Sequence, residues 1–353
     1  MVDRKIFICS PAYNEENNLR SFVASLKKSC ESATKKLSSE FGLLPWFEVL
    51  ICANGCTDNT EDVAKILIQQ LSSQNFRIQL LRSAKGVVNA QRKCVRWLLS
   101  RVYKKNLVFF IDADVIAGED TIYKLLRQMI LHPSLKATGA HPVPVQLRTR
   151  SIYRNLLRRV LNCRSYFPKS EIAIKYAPEF HPFARSDPQL VGPNFEEKSK
   201  IYFHGRCFVL RDVFIWDADS EAIGEDTYLD RSIHFRFGPG MVRVLYDANV
   251  YFVPLTSLRD YFGTYFRIYV DLKRLKIRHP EFNICREYSK TKLDWHYIKS
   301  LPLPDQLAFV AYAAVRYSFW KLFRLLYGIN PNSAPPWEYD SKPKTASVPQ
   351  NVG

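Results

Sequence analysis

The chain has 353 residues, of which 47% are hydrophobic and 24% are charged. This composition excludes a disordered or fibrous protein and provides enough apolar material for one large domain or two. The net charge of +17 requires an anionic neighbour, and charge alone does not distinguish nucleic acid, anionic lipid and a phosphorylated substrate.

The first 140 or so residues alternate between strand and helix. Short apolar runs predict strands at 6–10, 47–52, 78–81 and 107–111, and helical patterns lie between and after them. This rhythm predicts an α/β fold with a parallel, doubly wound sheet and right-handed crossovers. Only the first short strand follows Arg4 and Lys5, so we expect no secretory leader and a cytoplasmic protein. The eight cysteines include no Cys-x-x-Cys pair, which favours reduced thiols.

The second half of the chain is less regular. Prolines punctuate residues 164–200, which predicts an irregular segment that is either a lid or binding loop or plainly disordered. A helix is expected after Gly224, then strands at 243–246 and 250–253, and two basic, aromatic-rich helices at 257–277 and 305–328. The predicted organisation is therefore a sheet domain over 1–255, a helical region over 256–330 and a flexible tail over 331–353.

The last predicted helix is amphipathic. Its polar arc contains Asp305, Gln306, Arg316, Lys321 and Arg324. No apolar stretch reaches the ~20 residues that a membrane span needs. The pattern fits a helix lying in a membrane interface and also a helix docked on its own domain. The basic arc favours, as a hypothesis, peripheral contact with an anionic membrane surface at the inner face of the membrane.

Two carboxylates, Asp112 and Asp114, follow the apolar run 107–111. Open α/β sheets bind ligands at the carboxyl ends of their strands. Two adjacent anions repel each other, and a divalent cation such as Mg²⁺ or Mn²⁺ removes that conflict. An isolated Asp-x-Asp is also compatible with a solvated surface turn, so the neighbouring motifs decide between the two interpretations.

Polar and glycine-containing motifs close the other predicted strands. They are Pro11-Ala12-Tyr13-Asn14-Glu15, Asn54-Gly55-Cys56-Thr57-Asp58, Lys85-Gly86 and, further along, Gly224-Glu225-Asp226. Alone, the first would fit a turn that caps a helix and the second a tight turn. As an ordered set over residues 4–275, they resemble the family 2 glycosyltransferases. The resemblance implies the GT-A fold, a Rossmann-like doubly wound mixed sheet, here with C-terminal amphipathic helices, and sugar transfer from a nucleotide diphosphate.

The resemblance also implies roles for individual residues. The positions that match the nucleotide-binding loops are Pro11, Ala12, Tyr13, Glu15, Asn54 and Asp58. The family usually has Asp where this chain has Asn54, whose amide oxygen accepts the imide proton of uracil without charge assistance. UDP is therefore expected ahead of GDP or dTDP. Asp112 and Asp114 match the metal site, with Asp112 supporting the metal or contacting the ribose. Lys85 matches the family's Lys-Gly element at the phosphates, although a solvated loop lysine fits as well. Arg267 can still reach a phosphate, although the family motif around it is missing.

The pair Glu225 and Asp226 matches the family's catalytic acids. Asp226 is expected to remove the proton of the acceptor hydroxyl in an inverting transfer, and Glu225 to orient it or bind acceptor. The Gln-x-x-Arg-Trp motif of processive synthases is missing near Arg267, which favours transfer of a single sugar. The expected partners are a nucleotide-sugar donor and a lipid-linked or glycan acceptor near a membrane.

Two alternatives remain at this stage. The high charge fits a nucleic-acid-binding protein, although the basic residues form no nucleic-acid motif, so no nucleic-acid partner is expected. A catalytically silent relative that binds nucleotide sugars is the other alternative, and the intact acids Asp112, Asp114 and Asp226 argue against it.

Overall fold

The computed structural model describes residues 2–101, 106–145, 150–173, 204–217, 225–238, 241–283 and 291–329. The described strands are β1 (Val2–Ala12), β2 (Leu43–Asn54), β3 (Phe76–Ser83), β4 (Val108–Ile111), β5 (Val115–Ala117), β6 (Ala137–Pro144), β7 (Glu171–Ala173), β8 (Cys207–Leu210), β9 (Val242–Phe252) and β10 (Thr291–Leu293). The described helices are α1 (Leu19–Phe41), α2 (Thr60–Leu71), α3 (Val87–Leu99), α4 (Thr121–Leu131), α5 (Ile152–Tyr166), α6 (Glu225–Phe237), α7 (Leu258–Arg278), α8 (Trp295–Lys299) and α9 (Leu303–Ile329).

The main sheet of the described residues is mixed, with the strand order β3-β2-β1-β4-β8-β6-β9-β5. Strands β1 to β4 are parallel neighbours, so their carboxyl ends lie at one edge of the sheet. Strand β8 runs antiparallel between β4 and β6, and β9 is parallel to β6. The predicted α/β architecture is confirmed, and the insertion of β8 makes the sheet mixed.

Helices cover both faces of this sheet. Along β1, Ile6 and Ile8 belong to the apolar cluster that includes α1, α2 and α4, whereas Phe7 and Cys9 belong to the cluster with α3 and α6. Successive side chains of a strand point to opposite faces, so a strand buried on both sides reads as a continuous apolar run. This is why these strands are recognisable in the sequence.

The structure corrects two predictions from the second half of the chain. The strands expected at 243–246 and 250–253 are one strand, β9, whose register against β6 shifts between Ala140 and His141. At the start of the segment that was expected to be irregular from Arg164, α5 continues to Tyr166 and β7 follows at Glu171–Ala173. Residues 174–200 and the tail predicted over 331–353 lie outside the described residues.

Helix α9 packs on its own protein along one side. Phe309, Tyr312 and Phe323 are buried, and they contact residues of α5 and α7. At its start, the Arg159 guanidinium of α5 binds Asp305 at 2.5 Å. One apolar side of α9 is therefore docked on α5 and α7, as one interpretation of the amphipathic pattern predicted. In the part of the chain that the structure describes, no helix is both long and apolar enough to cross a bilayer.

Adjacent residues of α9 provide a test of this docking. Phe309 is fully buried, whereas Val310 is 54% exposed. We expect Phe309→Ala to lower the free energy of unfolding by ~3–5 kcal/mol. The control Val310→Ala should change it by less than ~0.5 kcal/mol, because it removes no packed side chain. Urea unfolding of both variants measures the difference, and equal effects would show that this side of α9 is not docked.

Candidate functional site

Loops after β1 and β2 lie together at the carboxyl edge and brace each other. Asn14 donates from Nδ2 to Thr57 Oγ1 at 3.1 Å, and the Thr57 amide donates to Asn14 Oδ1 at 2.8 Å. The Glu16 amide donates to Asp58 Oδ2 at 3.2 Å. Asn14 has φ of +54°, a conformation that asparagine tolerates better than most residues. These bonds hold two loops, 43 residues apart in sequence, as one unit.

A lysine from the third strand's loop completes this part of the edge. Lys85 Nζ lies 4.8 Å from the centre of the Tyr13 ring. Gly55 has φ of +71°, and a Cβ atom there would lie 3.1 Å from Lys85 N and from Lys85 Cβ. Glycine at position 55 therefore lets the second and third loops approach closely.

The end of β1 is tied to the second loop as well. Ala12 is fully buried beside Pro11, and its carbonyl accepts a hydrogen bond from Cys56 Sγ at 3.2 Å.

Three other predicted residues of these loops differ in their surroundings. Glu15 is buried and accepts a hydrogen bond from Asn18 Nδ2 at 2.7 Å. Asp58 accepts from the Thr60 amide at 3.0 Å, so it supports the start of α2. Asn54 is 3% exposed, and its Oδ1 accepts no hydrogen bond from the described residues. A buried acceptor without a partner is costly, which makes Asn54 a candidate for contact with a ligand.

The acids after β4 lie beside the start of β8. The Asp112 amide donates to the carbonyl oxygen of Arg206 at 3.1 Å. The Arg206 guanidinium lies 3.6 Å from Asp114 Oδ1 and 4.0 Å from the centre of the Phe252 ring. Arg206 is thus a cation at the predicted metal site. The sequence analysis assigned it no role, because the antiparallel pairing of β8 with β4 is not visible in the sequence.

Glu225 and Asp226 occupy the first turn of α6, which lies beside the start of β8. Asp226 Oδ2 accepts a hydrogen bond from the Gly205 amide at 2.9 Å, and Asp226 Oδ1 accepts from the Thr227 amide at 2.7 Å. A Cβ atom on Gly205 would lie 3.1 Å from Asp226 Oδ2. The glycine before β8 therefore lets the backbone approach and orient the Asp226 carboxylate.

The pKa of the Glu225 carboxyl depends on three charged residues of this region. Its pKa is raised well above the usual value, first because it is buried and then because Asp226 and Asp112 are nearby anions. The Arg267 guanidinium of α7 acts in the opposite direction and lowers that pKa. The fold thus brings Asp112, Glu225, Asp226 and Arg267 within electrostatic range of one another, although they come from distant segments.

Two residues that the sequence analysis missed hold Glu225 in place. Gln91 Nε2 donates to Glu225 Oε1 at 3.1 Å, and Trp216 Nε1 donates to Gln91 Oε1 at 2.9 Å. Trp216 can only donate, so its bond identifies the oxygen of the Gln91 amide and directs the NH₂ group to Glu225. Gln91 is 1% exposed, and its only sequence signal is a polar residue on the buried side of α3.

The donor set at the acid pair fits a hard divalent cation bound together with a ligand. Among the described residues, no three His, Cys, Asp or Glu side chains form a complete metal cage. Mg²⁺ typically uses one or two carboxylates and takes its other ligands from water and phosphate. Asp112 and Asp114 supply two carboxylates at the edge where the loops converge. They can hold Mg²⁺ or Mn²⁺ when a phosphate-bearing ligand supplies further oxygens.

Comparisons with known proteins agree with this geometry. Residues 7–175 match the family model for Glycosyl transferase family 2. No curated protein matches the chain. A mannosyltransferase from Pyrobaculum calidifontis, solved with GDP-Man and Mn²⁺, aligns with a TM-score of 0.50 and 13% identity, covering 93% of this chain and 79% of that one. This likeness shows that the fold is GT-A.

Two other solved structures align less closely. S. aureus TarS 1-349 aligns with a TM-score of 0.45 and 13% identity over 91% of this chain and 74% of that one. Glucosyl-3-phosphoglycerate synthase from Mycobacterium tuberculosis, in complex with Mn²⁺, UDP-glucose and phosphoglyceric acid, aligns with a TM-score of 0.41 and 16% identity. That alignment covers 76% of this chain and 78% of that one.

The raised pKa of Glu225 predicts how stability depends on pH. Above the usual value of 4.5, the unfolded state releases this proton while the folded state keeps it, so stability falls with rising pH until the folded pKa is passed. Glu225→Gln keeps the shape and cannot ionise. We expect the melting temperature of the wild type to fall relative to this variant as pH rises from 4.5. Parallel curves over the whole range would contradict the raised pKa.

Proposed function

Because residues 7–175 are a glycosyl transferase family 2 domain and the protein is therefore a glycosyltransferase, we propose that it moves a single sugar from a nucleoside diphosphate to an acceptor hydroxyl with inversion. The observation that carries this proposal is the junction at residues 205 and 206, where the Gly205 amide donates to Asp226 and the Arg206 carbonyl accepts from the Asp112 amide. It joins the edge that fits a donor diphosphate to the helix start that fits an acceptor. An ordinary surface turn would keep these acids apart in solvent.

The diphosphate is proposed to lie against the acid pair. Asp114 and Asp112 would hold Mg²⁺ or Mn²⁺, which when bound neutralises the negative charge that builds on the departing nucleoside diphosphate. Arg206 lies 3.6 Å from Asp114, so its guanidinium can support the same phosphates. Lys85 lies over Tyr13 and can contact the diphosphate from the nucleoside side. Arg267 approaches from α7.

The nucleoside is proposed to lie between the braced loops. Asn54 Oδ1 has no partner among the described residues and can accept the imide proton of uracil, which supports UDP as the nucleotide. The Tyr13 ring can stack on the base. Pro11 and Ala12 form the wall at the end of β1. Glu15 and Asp58 are proposed to contact the ribose with carboxylates that also accept hydrogen bonds within the loops.

Asp226 is the proposed base. As the acceptor oxygen bonds to the anomeric carbon, the bond from that carbon to the diphosphate oxygen breaks, and the hydroxyl proton passes to Asp226. The amides of Gly205 and Thr227 donate hydrogen bonds to the two oxygens of the Asp226 carboxylate and orient it. Glu225, whose pKa is raised by burial and by Asp226, retains its proton more readily and is therefore less suited to act as the base. Gln91 and Trp216 keep Glu225 beside it.

The acceptor is proposed to be lipid-linked or otherwise near a membrane. The support is the basic character of the chain together with its C-terminal helices, which carry Arg and Lys beside exposed apolar side chains. Head groups and polyprenyl phosphates are anionic, and a basic surface concentrates them near the enzyme. Contact would be peripheral.

Replacement of the proposed base is the direct test. We expect Asp226→Asn to fold normally and bind donor but to lose transfer by about 10²–10⁴-fold, because the amide cannot take up the hydroxyl proton. The matched control is Asp62→Asn, which makes the same change on the exposed surface of α2. Transfer measured with radiolabelled nucleotide sugar separates them. Near-normal turnover of Asp226→Asn would reject the assignment.

Donor and metal binding can be tested without knowing the acceptor. We expect a thermal shift with UDP-sugars, larger than with GDP- or dTDP-sugars, and dependent on Mn²⁺. Ligand at about 100 times its Kd stabilises the native state by about 2.7 kcal/mol. Asp114→Asn should remove the Mn²⁺-dependent part, whereas Asp247→Asn, at an exposed residue of β9, should retain it. A Mn²⁺-dependent shift that survives in Asp114→Asn would place the metal elsewhere.

A further inference from the structure

The structure assigns an anionic membrane surface as the partner of the outer side of α5 and α9. This side is called the outer apolar surface, and on α9 it consists of Leu303, Leu307, Val310, Tyr317 and Leu325. These side chains are between 54% and 65% exposed. Large apolar side chains exposed in one continuous set mark interaction sites more often than isolated ones do.

The exposed apolar residues of α9 lie in one stripe along the helix, which also contains the exposed Lys321 between Tyr317 and Leu325. Their spacing of three, four or seven to eight residues repeats the helical turn, and the stripe runs ~33 Å at ~1.5 Å per residue. The opposite side of the helix already has its partners, since Phe309 and Tyr312 pack against α5 and Phe323 packs against α7. The helix thus has two apolar sides, and the fold uses only the inner one.

Helix α5 extends the same surface. Ile152, Tyr153 and Leu156 in its first turns are 85%, 67% and 57% exposed. One turn after Leu156, Arg159 binds Asp305 of α9, the residue that lies midway between Leu303 and Leu307. This ion pair fixes the start of α9 beside α5, so both helices contribute exposed apolar side chains to this part of the molecule.

The charges around this surface select its occupant. Arg150 and Arg154 are exposed beside the α5 residues, and Lys321 and Arg324 are exposed towards the end of α9. Apart from Asp305, which is 3% exposed and bound to Arg159, the two helices contain no acidic residue. Aliphatic side chains surrounded by Lys and Arg, with tyrosine at the margin, match the boundary between lipid head groups and acyl chains.

A second copy of the chain fits these charges poorly. Two identical outer apolar surfaces facing each other would bring like-charged rims together, with no exposed acid on either helix to pair them. Anionic lipids instead supply the opposite charge, and the long basic side chains can reach the head groups while their stems cover apolar surface.

The surface is rigidly connected to the candidate active site. Helix α7 carries Arg267, which acts on Glu225, and on its other side Phe266 and Tyr269 pack against α9. The ring centres of Phe266 and Phe323 are 5.2 Å apart, and those of Tyr269 and Trp320 are 4.8 Å apart. A membrane bound at α9 would therefore lie at a set distance from the acids. Membrane contact at α9 would place the active site near a membrane-bound acceptor, and only this biological purpose rests on the proposed function.

Vesicle sedimentation of the full chain, without donor or acceptor, tests the inference. We expect the protein to sediment with phosphatidylcholine vesicles that contain phosphatidylglycerol and to bind pure phosphatidylcholine more weakly. The double variant Leu307→Glu/Val310→Glu should lower binding by about tenfold or more, because it puts two anions on the surface. The control Ile66→Glu makes the same kind of change at an exposed apolar residue of α2 and should bind as the wild type does.

Three results would overturn the inference. The first is a wild type that remains in the supernatant at low salt, and the second is an Ile66→Glu variant that binds as weakly as the double variant. The third is a dimer, seen by ultracentrifugation, that only the double variant dissociates. The proposed sugar transfer is tested separately by donor binding and turnover with a soluble acceptor. A wild-type protein that binds donor but not vesicles would therefore reject the proposed membrane contact and leave the proposed sugar transfer intact.

Discussion

The arrangement of the site depends on the cost of placing the buried Glu225 carboxyl group beside the half-buried carboxyl groups of Asp112 and Asp226. Asp112, Glu225 and Asp226 repel one another, and burial of Glu225 makes its ionisation more costly still. The fold meets this cost with the Arg267 guanidinium, with backbone amides directed at Asp226 and with the Gln91 amide directed at Glu225. Strand β4 and helices α3, α6 and α7 must all be in place for this balance, which ties the chemistry to the whole domain.

This electrostatic arrangement divides the carboxyl edge into two parts. The loops after β1 and β2 are braced by the bonds between Asn14 and Thr57 and by the Glu16 amide on Asp58, and Asn54 presents there an acceptor to which no described residue donates. The acids and Arg206 occupy the neighbouring part, where β8 meets β4. A nucleoside suits the first part and a diphosphate the second, so the order of polar and charged groups along the edge corresponds to the order of groups in a nucleotide sugar.

The C-terminal helices extend this organisation to the outside of the molecule. Helix α7 contacts α9 through an aromatic cluster on one side, while Arg267 acts on Glu225 from the other. The inner side of α9 stabilises the domain by burying Phe309 and Phe323. Its outer side keeps exposed apolar residues that contribute little to folding. Retention of such residues beside cations is understandable if that side has a lipid partner.

The sequence by itself determined the parallel strands, the edge at which they end and the acids placed there, because buried strands appear as apolar runs and the residues that follow them are local in the chain. It did not reveal the role of Arg206 or the Trp216–Gln91–Glu225 bonds. Gln91 and Glu225 are 134 residues apart, and their contact exists only because α3 and α6 pack on the same face of the sheet. Only the tertiary structure decided which side of α9 is docked, since an amphipathic pattern records that a helix has apolar faces and not what covers each of them.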